Sequence, residues 1–536
     1  MDEGRMSTIA EELSKELKAI SVSEFFERNR HLLGYDNPTK ALLTIVKEGV
    51  DNSLDACEEA RILPKIWVEI RQKDATRFKI MMKDNGPGVP DKKIPYVFGK
   101  LLYGSRFHRL LQTRGQQGLG IKGCVLYAQL TTGKPTTVIS STGDGKTSYY
   151  EIMINVARNE PEIIKHEIIN DGKVWHGLKI EMEVEGRYVE GPRSVLEYLR
   201  QSAIMNPHAH IIFRGPNGKV EFPRAINQLP PKPREIKPHP HGVELGVLKR
   251  MLEFTRSKTL LGFLMNEFSR VGKDSAMKVL KKAGLDANRD PRSLELREVE
   301  KLFKAMQLVD FVRPPTDCLS PVGEKALLEG MKKELPAEFF AAVTRKPEVY
   351  RGMPFQVEVG VAYGGNLPNE AKLMRFANRV PLLYQAGDCA ITKAVIATDW
   401  TRYGLKQNAK SMPEGPIVIL VHFASVWVPF ISEGKQAIAS YPIIMKEIKL
   451  GLQEVGRRLA RYLAGKRRIE LKRRKIQIFE RYIPEVARAL AELTEVKQEI
   501  IEKKLKEIGI KKVGDVGEEF IHELSQHEGV EGEKNE

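Results

Sequence analysis

Residues 46–56 read VKEGVDNSLDA, and this stretch decides the fold. Glu48 and Asn52 are four residues apart, so a helix places both side chains on one face about one turn apart. The helix is predicted to begin at Asn37-Pro38, an N-cap residue followed by proline at the first helical position, and to run to about Arg61. A carboxylate beside a carboxamide suits a water-activating base next to a magnesium ligand, because magnesium prefers hard oxygen donors. Taken alone, the pair also fits the solvated polar face of an ordinary helix.

Two further motifs follow this helix. Residues 84–88 read DNGPG, which fits a β-turn, or a carboxylate at Asp84 that accepts a hydrogen bond from adenine where glycines let the backbone approach. Residues 115–122 read GQQGLGIK and lead into an apolar helix, whose N-terminal N–H groups suit phosphate, with Lys122 adding positive charge. The stretch lacks the Gly-Lys-Ser/Thr ending of a P-loop, and no strand directly precedes it.

The order of the three motifs is more specific than any one of them. A helical Glu-x-x-x-Asn, then Asp-x-Gly-x-Gly, then a glycine lid that opens a helix resembles the GHKL ATPases. That superfamily includes gyrase-type topoisomerases, heat-shock chaperones, MutL and histidine kinases. The resemblance implies a Bergerat-type α/β-sandwich domain that binds ATP and Mg²⁺ between Glu48 and Lys122.

Local sequence narrows the resemblance to one family. Several stretches are similar to the B subunit of archaeal DNA topoisomerase VI, a type IIB enzyme; they are residues 46–56, 113–120, 237–242, 344–347, 375–378, 434–438 and 482–486. They run over nearly the whole chain. The family resemblance implies a multidomain α/β protein with a GHKL ATPase domain, a small helix–two-turns–helix domain, an α/β transducer domain and a long C-terminal stalk helix.

The resemblance also assigns roles to individual residues. Glu48 is expected to be the general base, Asn52 to hold Mg²⁺, and Asp84 with Gly88 to bind adenine. Lys435 is expected to reach the γ-phosphate from the transducer domain, which would link hydrolysis to domain movement. Further nucleotide contacts are expected from Ser105 and Arg106 and from the lid residues Gly115, Gln116, Gln117, Gly118, Leu119, Gly120, Ile121 and Lys122. The chain has Leu178 where the family often has threonine, which places one adenine contact in question.

Proline clusters at residues 229–233 (LPPKP) and 313–315 (RPP) predict domain boundaries. Alternating apolar residues predict strands at 66–71, 78–82, 136–140, 149–154, 178–184, 356–362 and 417–422, whereas residues 243–310 are predicted to be helical. The predicted domains are a dimerisation strap at 1–35, the ATPase domain at 36–228, a linker with the helix–two-turns–helix domain at 229–310, the transducer domain at 311–441, the stalk at 442–480, and an A-subunit-docking region with a polar tail at 481–536.

Charge indicates a polyanionic partner. The chain has 86 basic and 70 acidic residues, a net charge of +16. Residues 446–481 contribute 13 basic and 4 acidic side chains, so the stalk either contacts DNA phosphates or is a solvated charged helix. Apolar residues at helical spacing follow it and fit either docking to the A subunit or plain helix packing: Tyr482, Ile483, Val486, Leu490 and Leu493.

The remaining features bound the function. The chain has no Asp-x-Asp motif for the magnesium cluster that DNA cleavage requires, so it is expected to hydrolyse ATP while the A subunit, in an A2B2 assembly, cuts DNA. ATP-driven homodimerisation, with residues 1–35 exchanged, would gate passage of one duplex through another, relaxing supercoils and decatenating DNA. The alternative is an ATP-dependent clamp or chaperone of MutL-like or heat-shock-like type. Scattered cysteines, an acidic N-terminus and no long apolar run predict a cytoplasmic protein.

Overall fold

The computed structural model describes residues 19–104, 109–115, 118–170, 172, 174–432, 435–494 and 496–513. These residues belong to two compact units, one drawn from Met1–Thr398 and Lys410–Gln453, the other from Asp399–Ala409 and Glu454–Glu536. Across the part of the chain that is described, no helix is both long and apolar enough to cross a membrane.

The helices alternate with strands in the first half of the chain and dominate its end. They are α1 Val22–Arg28, α2 Pro38–Glu59, α3 Ile94–Gly99, α4 Gly120–Thr132, α5 Val195–Met205, α6 Leu245–Phe254, α7 Leu260–Glu267, α8 Lys273–Ala283, α9 Leu296–Leu308, α10 Glu324–Glu334, α11 Ala390–Ile396, α12 Pro442–Thr494 and α13 Gln498–Val513.

The strands form two main sheets. They are β1 Lys65–Gln72, β2 Arg77–Asp84, β3 Thr136–Thr142, β4 Thr147–Asn155, β5 Glu160–Ile169, β6 His176–Glu185, β7 His210–Gly215, β8 Gly218–Phe222, β9 Phe339–Thr344, β10 Glu348–Tyr350, β11 Met353–Tyr363, β12 Lys372–Ala377, β13 Val380–Pro381, β14 Lys406–Gln407, β15 Pro413–Glu414 and β16 Ile417–Ser425. All seven predicted strands are present, each slightly longer than predicted.

Helix α2 carries Glu48 and Asn52. The side chain of Asn37 accepts a hydrogen bond from the Lys40 N–H at 2.9 Å, and proline occupies the first turn, as predicted. The helix ends at Glu59, two residues before the predicted end, because Arg61 adopts a left-handed φ of 60°. Its apolar face is buried in the first core, so burial of that face fixes the orientation of Glu48 and Asn52.

The first sheet has eight strands in the order β5-β4-β3-β6-β2-β1-β7-β8. The β1–β7 pair is parallel and the other neighbouring pairs are antiparallel. Helices α2, α4 and α5 pack with this sheet around a single hydrophobic core. One helical layer on one sheet is the α/β-sandwich that the resemblance to the GHKL ATPases implies.

Helices α6 to α9 form a second core of their own. Fully buried side chains such as Phe263, Val279 and Leu302 fill this core. The four helices confirm the prediction that residues 243–310 are helical.

The second sheet runs β10-β11-β16-β12-β13, with β9 also paired to β11. The β12–β16 pair is parallel. Its strand β16 is buried along its whole length, as expected for a central strand covered on both faces. Helix α10 packs on this sheet and also on α5 of the first domain, where Gly330 lies against the backbone of Ile204. A shared core therefore joins the two sheet domains within the first unit.

The second unit contains residues 399–409 and the greater part of α12, followed by α13. Trp400 is fully buried there, and the ring of Tyr403 lies against Gly456, where a Cβ would approach the ring to 2.7 Å. Helix α12 is 53 residues long and contains Pro484.

Candidate nucleotide-binding site

A cavity of about 820 Å³ opens beside α2 in the first unit. We call the part of its wall around Asp84, where Met82, Leu178 and Ile180 lie on the neighbouring strands β2 and β6, the apolar end. The part around Glu48, Lys47 and Lys435 is called the polar end. Eleven predicted site residues line the cavity: Glu48, Asn52, Asp84, Gly88, Gly115, Gly118, Leu119, Gly120, Ile121, Lys122 and Lys435. The predicted contacts Ser105, Arg106, Gln116 and Gln117 lie outside the described residues.

Asp84 ends β2 at the apolar end of the cavity and is 4% exposed. One carboxylate oxygen accepts from the Ser53 hydroxyl at 2.7 Å, and the other accepts from the backbone N–H groups of Gly86 at 2.9 Å and Leu178 at 3.2 Å. Burial raises the pKa of Asp84 above its ordinary value, although these hydrogen bonds oppose the shift. The carboxylate is thus held rigidly where it can accept a hydrogen bond from a planar amine.

Leu178 contributes through its main chain. Its backbone N–H orients Asp84, which any residue at this position except proline could do, and its side chain adds to the apolar wall. Leucine in place of threonine therefore removes one hydroxyl group from the site, but the Asp84 carboxylate keeps its hydrogen bond to the backbone N–H of residue 178.

Gly88 is required by both conformation and space. Its φ is +74°, and a Cβ there would lie 2.8 Å from the carbonyl carbon of Ser141 and 3.2 Å from the Gly177 oxygen. The backbone of the β2 turn can approach β3 and β6 this closely only without a side chain.

Glu48 lies at the polar end of the cavity. One carboxylate oxygen is 3.0 Å from Lys47 Nζ, and the other packs directly against Gly120 at the start of α4. Burial acts to raise the pKa of Glu48, but the positive charges of Lys47 and Lys435 outweigh burial and bring the pKa below its ordinary value. Glu48 is therefore an ionised carboxylate held between two cations and the lid.

Asn52 lies one turn further along α2, is exposed, and lines the same cavity. Among the described residues, no group of three or more histidine, cysteine, aspartate or glutamate side chains could form a metal cage. A magnesium ion held by a single amide oxygen, phosphate oxygens and water fits this donor set, because Mg²⁺ usually keeps several waters.

The ammonium group of Lys122, which was expected to bind phosphate, is bonded to backbone carbonyl groups in this structure. It donates to the carbonyl of Gly118 at 3.0 Å and to the carbonyl of Tyr103. Burial lowers the pKa of Lys122 to about 8. In this conformation the side chain ties the lid to the loop before it.

Lys435 reaches the cavity from the segment that follows the second sheet, with a left-handed φ of 51°. Burial lowers its pKa, and the carboxylate of Glu48 partly offsets the shift. More than 300 residues of sequence separate this cation from Glu48, yet each alters the other's pKa. The cavity is therefore built from both sheet domains.

Three residues of this site were missed by the sequence reasoning. Lys47 contacts Glu48 and also lies 3.4 Å from Asp51, which its i, i+4 spacing signalled. Ser53, one residue after Asn52, bonds Asp84, and nothing in the sequence reveals that contact. Tyr384 lines the cavity from the loop after β13.

Two family models match the chain. Residues 37–157 match the histidine kinase-, DNA gyrase B- and HSP90-like ATPases, and residues 314–475 match the transducer of the topoisomerase VI B subunit.

Curated relatives match over most of the chain. The B subunit of type 2 DNA topoisomerase 6 from Archaeoglobus fulgidus is 50% identical over 490 residues, which covers 90% of this chain and 81% of the relative. The protein of the same name from Methanosarcina barkeri is 50% identical over 493 residues, covering 91% and 79%. That of Pyrococcus furiosus is 41% identical over 569 residues, covering 97% and 99%.

These matches favour the topoisomerase interpretation over the clamp or chaperone alternative, because the transducer model and the relatives' names both belong to topoisomerase VI. They also agree with the structure, which joins an ATPase-type sheet domain to a second sheet domain at one cavity. The chain belongs to the family of type 2 DNA topoisomerase 6 B subunits.

Proposed function

We propose that this chain is the ATP-hydrolysing subunit of a type IIB DNA topoisomerase, and that nucleotide held between its two sheet domains drives a DNA gate. The observation that carries the proposal is the meeting of Glu48 and Lys435 at one cavity. A ligand that contacts both residues is sensitive to the position of one domain against the other, so cleaving that ligand changes the preferred arrangement. The proposed domain limits are residues 36–228 for the ATPase domain and residues 311–441 for the transducer domain.

Adenine fits the apolar end of the cavity. Its exocyclic amine would donate to the Asp84 carboxylate, while Met82, Leu178 and Ile180 would cover the ring. Asp84 is already fixed by three donors, so it needs no rearrangement when the base binds.

The phosphates would then lie against the lid and α4. The N-terminal N–H groups of α4 and the cations of Lys47 and Lys435 supply positive charge there. When these cations turn toward phosphate, Glu48 loses the partners that depress its pKa and becomes the stronger base that must take a proton from water. Asn52 would hold Mg²⁺, which supplies charge neutralisation on the phosphates when bound.

ATP-driven dimerisation is proposed for the ATPase domain. In the single chain, α1 packs on its own domain: Ser23 donates to Asn159 at 3.0 Å, and Phe25 and Phe26 line the nucleotide cavity. A segment in contact with the cavity is placed to respond to nucleotide. Exchange of residues 1–35 between protomers stays a prediction, and residues 1–18 lie outside the described part.

DNA and the A subunit are the proposed partners of the C-terminal helices. Exposed basic side chains lie along α12, among them Arg457, Arg461, Arg473 and Arg474, and suit sequence-independent phosphate contact.

An apolar groove of about 370 Å³ lies further along, lined by Ile478, Phe479, Tyr482, Ile483, Val486 and Leu505, and is proposed to receive the A subunit in an A2B2 assembly. Within it Tyr482 and Val486 are 61% and 45% exposed, whereas Ile483 is only 2% exposed, so Ile483 forms the floor and Tyr482 and Val486 form the accessible rim.

Hydrolysis by the Glu48→Ala variant tests the proposed base. The variant is expected to bind a non-hydrolysable ATP analogue while hydrolysis falls by about 100-fold or more. Glu253→Ala, which removes an exposed carboxylate on α6, is the matched control. Full hydrolysis by Glu48→Ala would contradict the assignment.

A second experiment asks which macromolecule raises the rate of ATP hydrolysis. Duplex DNA is expected to raise the hydrolysis rate of the complex with the A subunit, and unfolded protein is expected to leave it unchanged. Stimulation by unfolded protein alone would instead identify a chaperone.

A further inference from the structure

A two-residue turn in the second sheet has an unusual composition for its conformation. Asn378 and Arg379 join β12 to β13, and their φ angles are 46° and 66°. Two-residue hairpin loops with both residues at positive φ are commonly Asn-Gly, because glycine has no Cβ to clash. Arginine at the second position indicates that its side chain has a function that offsets the strained backbone.

The Arg379 side chain is buried and directed toward the ATPase domain. It donates to Glu58 of α2 at 3.0 Å, and to the hydroxyl and carbonyl oxygens of Ser320 at 2.6 and 2.8 Å. Asn378 donates to the carbonyl of Thr113 at 3.0 Å. Both turn residues thus contact groups far away in sequence, on the other side of the domain boundary.

Thr113 belongs to the segment immediately before the lid, residues 112–114, which we name the lid root. Gln112 exchanges two hydrogen bonds with Ser320, at 2.9 and 2.7 Å. Arg114 donates to Asp55 at 2.7 Å and to Glu58 at 2.6 Å. Each residue of the lid root is therefore bonded to α2, to the Asn378-Arg379 turn, or to the segment that precedes α10.

Burial makes this arrangement resistant to small displacements. Arg114 and Arg379 are 8% and 4% exposed, and both share the carboxylate of Glu58. A displacement that separated these groups would leave buried charges or amides without partners, so the turn and the lid root move together or repack as a unit. A cavity of about 160 Å³ beside Thr113 and Arg114 gives the lid root room to repack.

We propose that the Asn378-Arg379 turn is a positioning element that couples the nucleotide lid to the transducer domain, independently of Lys435. The proposal rests on the proposed function, since it takes residues 115–122 to be the lid. Lys435 would sense the γ-phosphate, whereas the turn would sense the lid itself. Nucleotide closing the lid would then shift β12 and β13 through the lid root.

The test uses Arg379→Gly in the full chain with its A subunit. Glycine suits a φ of 66°, so the turn backbone is kept, and Glu58 retains Arg114 and His208 as partners. Arg351→Gly is the matched control, since Arg351 also has a left-handed φ, of 48°, and is an exposed turn residue of the same domain. Asn378→Gly is a second variant, which keeps Arg379 and removes the Thr113 bond together with the two bonds that the Asn378 side chain makes to Ser425 of β16.

Two readouts separate coupling from stability. One is hydrogen exchange in β12 and β16 with and without a non-hydrolysable ATP analogue; the other is the number of supercoils relaxed per ATP hydrolysed. Arg379→Gly is expected to bind nucleotide within about threefold of wild type, to lose the nucleotide-dependent change in β12 and β16, and to relax at least about fivefold fewer supercoils per ATP. Asn378→Gly is expected to act in the same direction, and Arg351→Gly to behave as wild type.

Three results would overturn the proposal. The first is an unchanged exchange response with unchanged supercoils per ATP in both turn variants. The second is an equal loss in Arg351→Gly, which would show a general effect of weakening the domain. The third is a wild-type chain that binds no nucleotide, which would overturn the proposed function and the coupling with it.

Discussion

Gly120, the first residue of α4, is expected to be essential for hydrolysis and dispensable for folding. A Cβ at this position would overlap the carboxylate oxygen of Glu48 and would lie 2.7 Å from its Cδ and 3.3 Å from its Cγ. Carbon atoms in good contact are about 3.5–4.0 Å apart, so the carboxyl carbon must retreat by roughly 1 Å in the Gly120→Ala variant. A 1 Å misplacement of a catalytic group costs about 100-fold in rate, equivalent to about 2.7 kcal/mol.

The thermal stability of Gly120→Ala is expected to equal or exceed that of wild type, although hydrolysis falls. Alanine is favoured over glycine in a helix by up to about 1 kcal/mol, and the flexible Glu48 side chain can turn aside to relieve the overlap. Gly246→Ala is the control, because Gly246 lies at the second position of α6 and a Cβ there would meet nothing within 4 Å. The measurements are steady-state ATP hydrolysis and thermal unfolding for both variants. Hydrolysis by Gly120→Ala within about threefold of wild type, with no loss in Gly246→Ala, would refute the placement of Glu48 at the reacting centre.

Three further outcomes are expected. Lys435→Met should lower hydrolysis by about 100-fold with a much smaller effect on nucleotide binding, because a cation at the γ-phosphate acts mainly in the transition state; equal losses in both would contradict this role. Burial acts to raise the pKa of Glu58, but its two arginine partners outweigh burial and hold the pKa well below the ordinary value. The ionised Glu58 carboxylate therefore stabilises the fold fully above the unfolded pKa of about 4.3, and this stabilisation is lost as the pH falls through the folded pKa. In urea unfolding, Glu58→Gln should have a lower free energy of unfolding than wild type at pH 7, and the difference should shrink in acid. A difference that does not depend on pH would contradict the role of the charge. Replacing Arg473 and Arg474 by glutamine should reduce the slope of log affinity against log salt by about 1.8 for duplex DNA, measured by fluorescence anisotropy, and an unchanged slope would show that the two side chains do not contact phosphate.

Local signals predicted the parts of the site that lie on one element. The N-cap at Asn37 and the apolar face of α2 place Glu48 and Asn52 on the cavity, and the glycine-rich stretch before Lys122 does open a helix. Such features depend on residues within a few positions of one another, so their spacing in sequence is also their spacing in space.

Local sequence signals do not report contacts between segments that are far apart in the chain. Arg379 meets Glu58 across 321 residues, and Asn378 meets Thr113 across 265. No periodicity connects such positions, and Arg379 would be read from the sequence as an ordinary exposed basic residue. The family resemblance assigned a role to Lys435, but it assigned none to the residues of the lid root.

Strand β5 was missed for a different physical reason. Its side chains are mostly exposed, including Ile163, Ile164 and Ile168 at about half exposure, so it lacks the alternation that marks a half-buried strand. A register shift against β4 near Glu151 disturbs the period further.

ATP bound at the Glu48–Lys435 cavity is proposed to drive the passage of DNA. The most direct measurement is relaxation of negatively supercoiled plasmid by the purified complex of this chain with its A subunit, with ATP, without nucleotide, and with the Glu48→Ala variant. Relaxation that requires ATP and is lost in the variant is the expected result. A well-folded complex that relaxes no DNA with ATP, or that relaxes it equally with Glu48→Ala, would contradict the proposal that ATP hydrolysis in this cavity drives DNA passage.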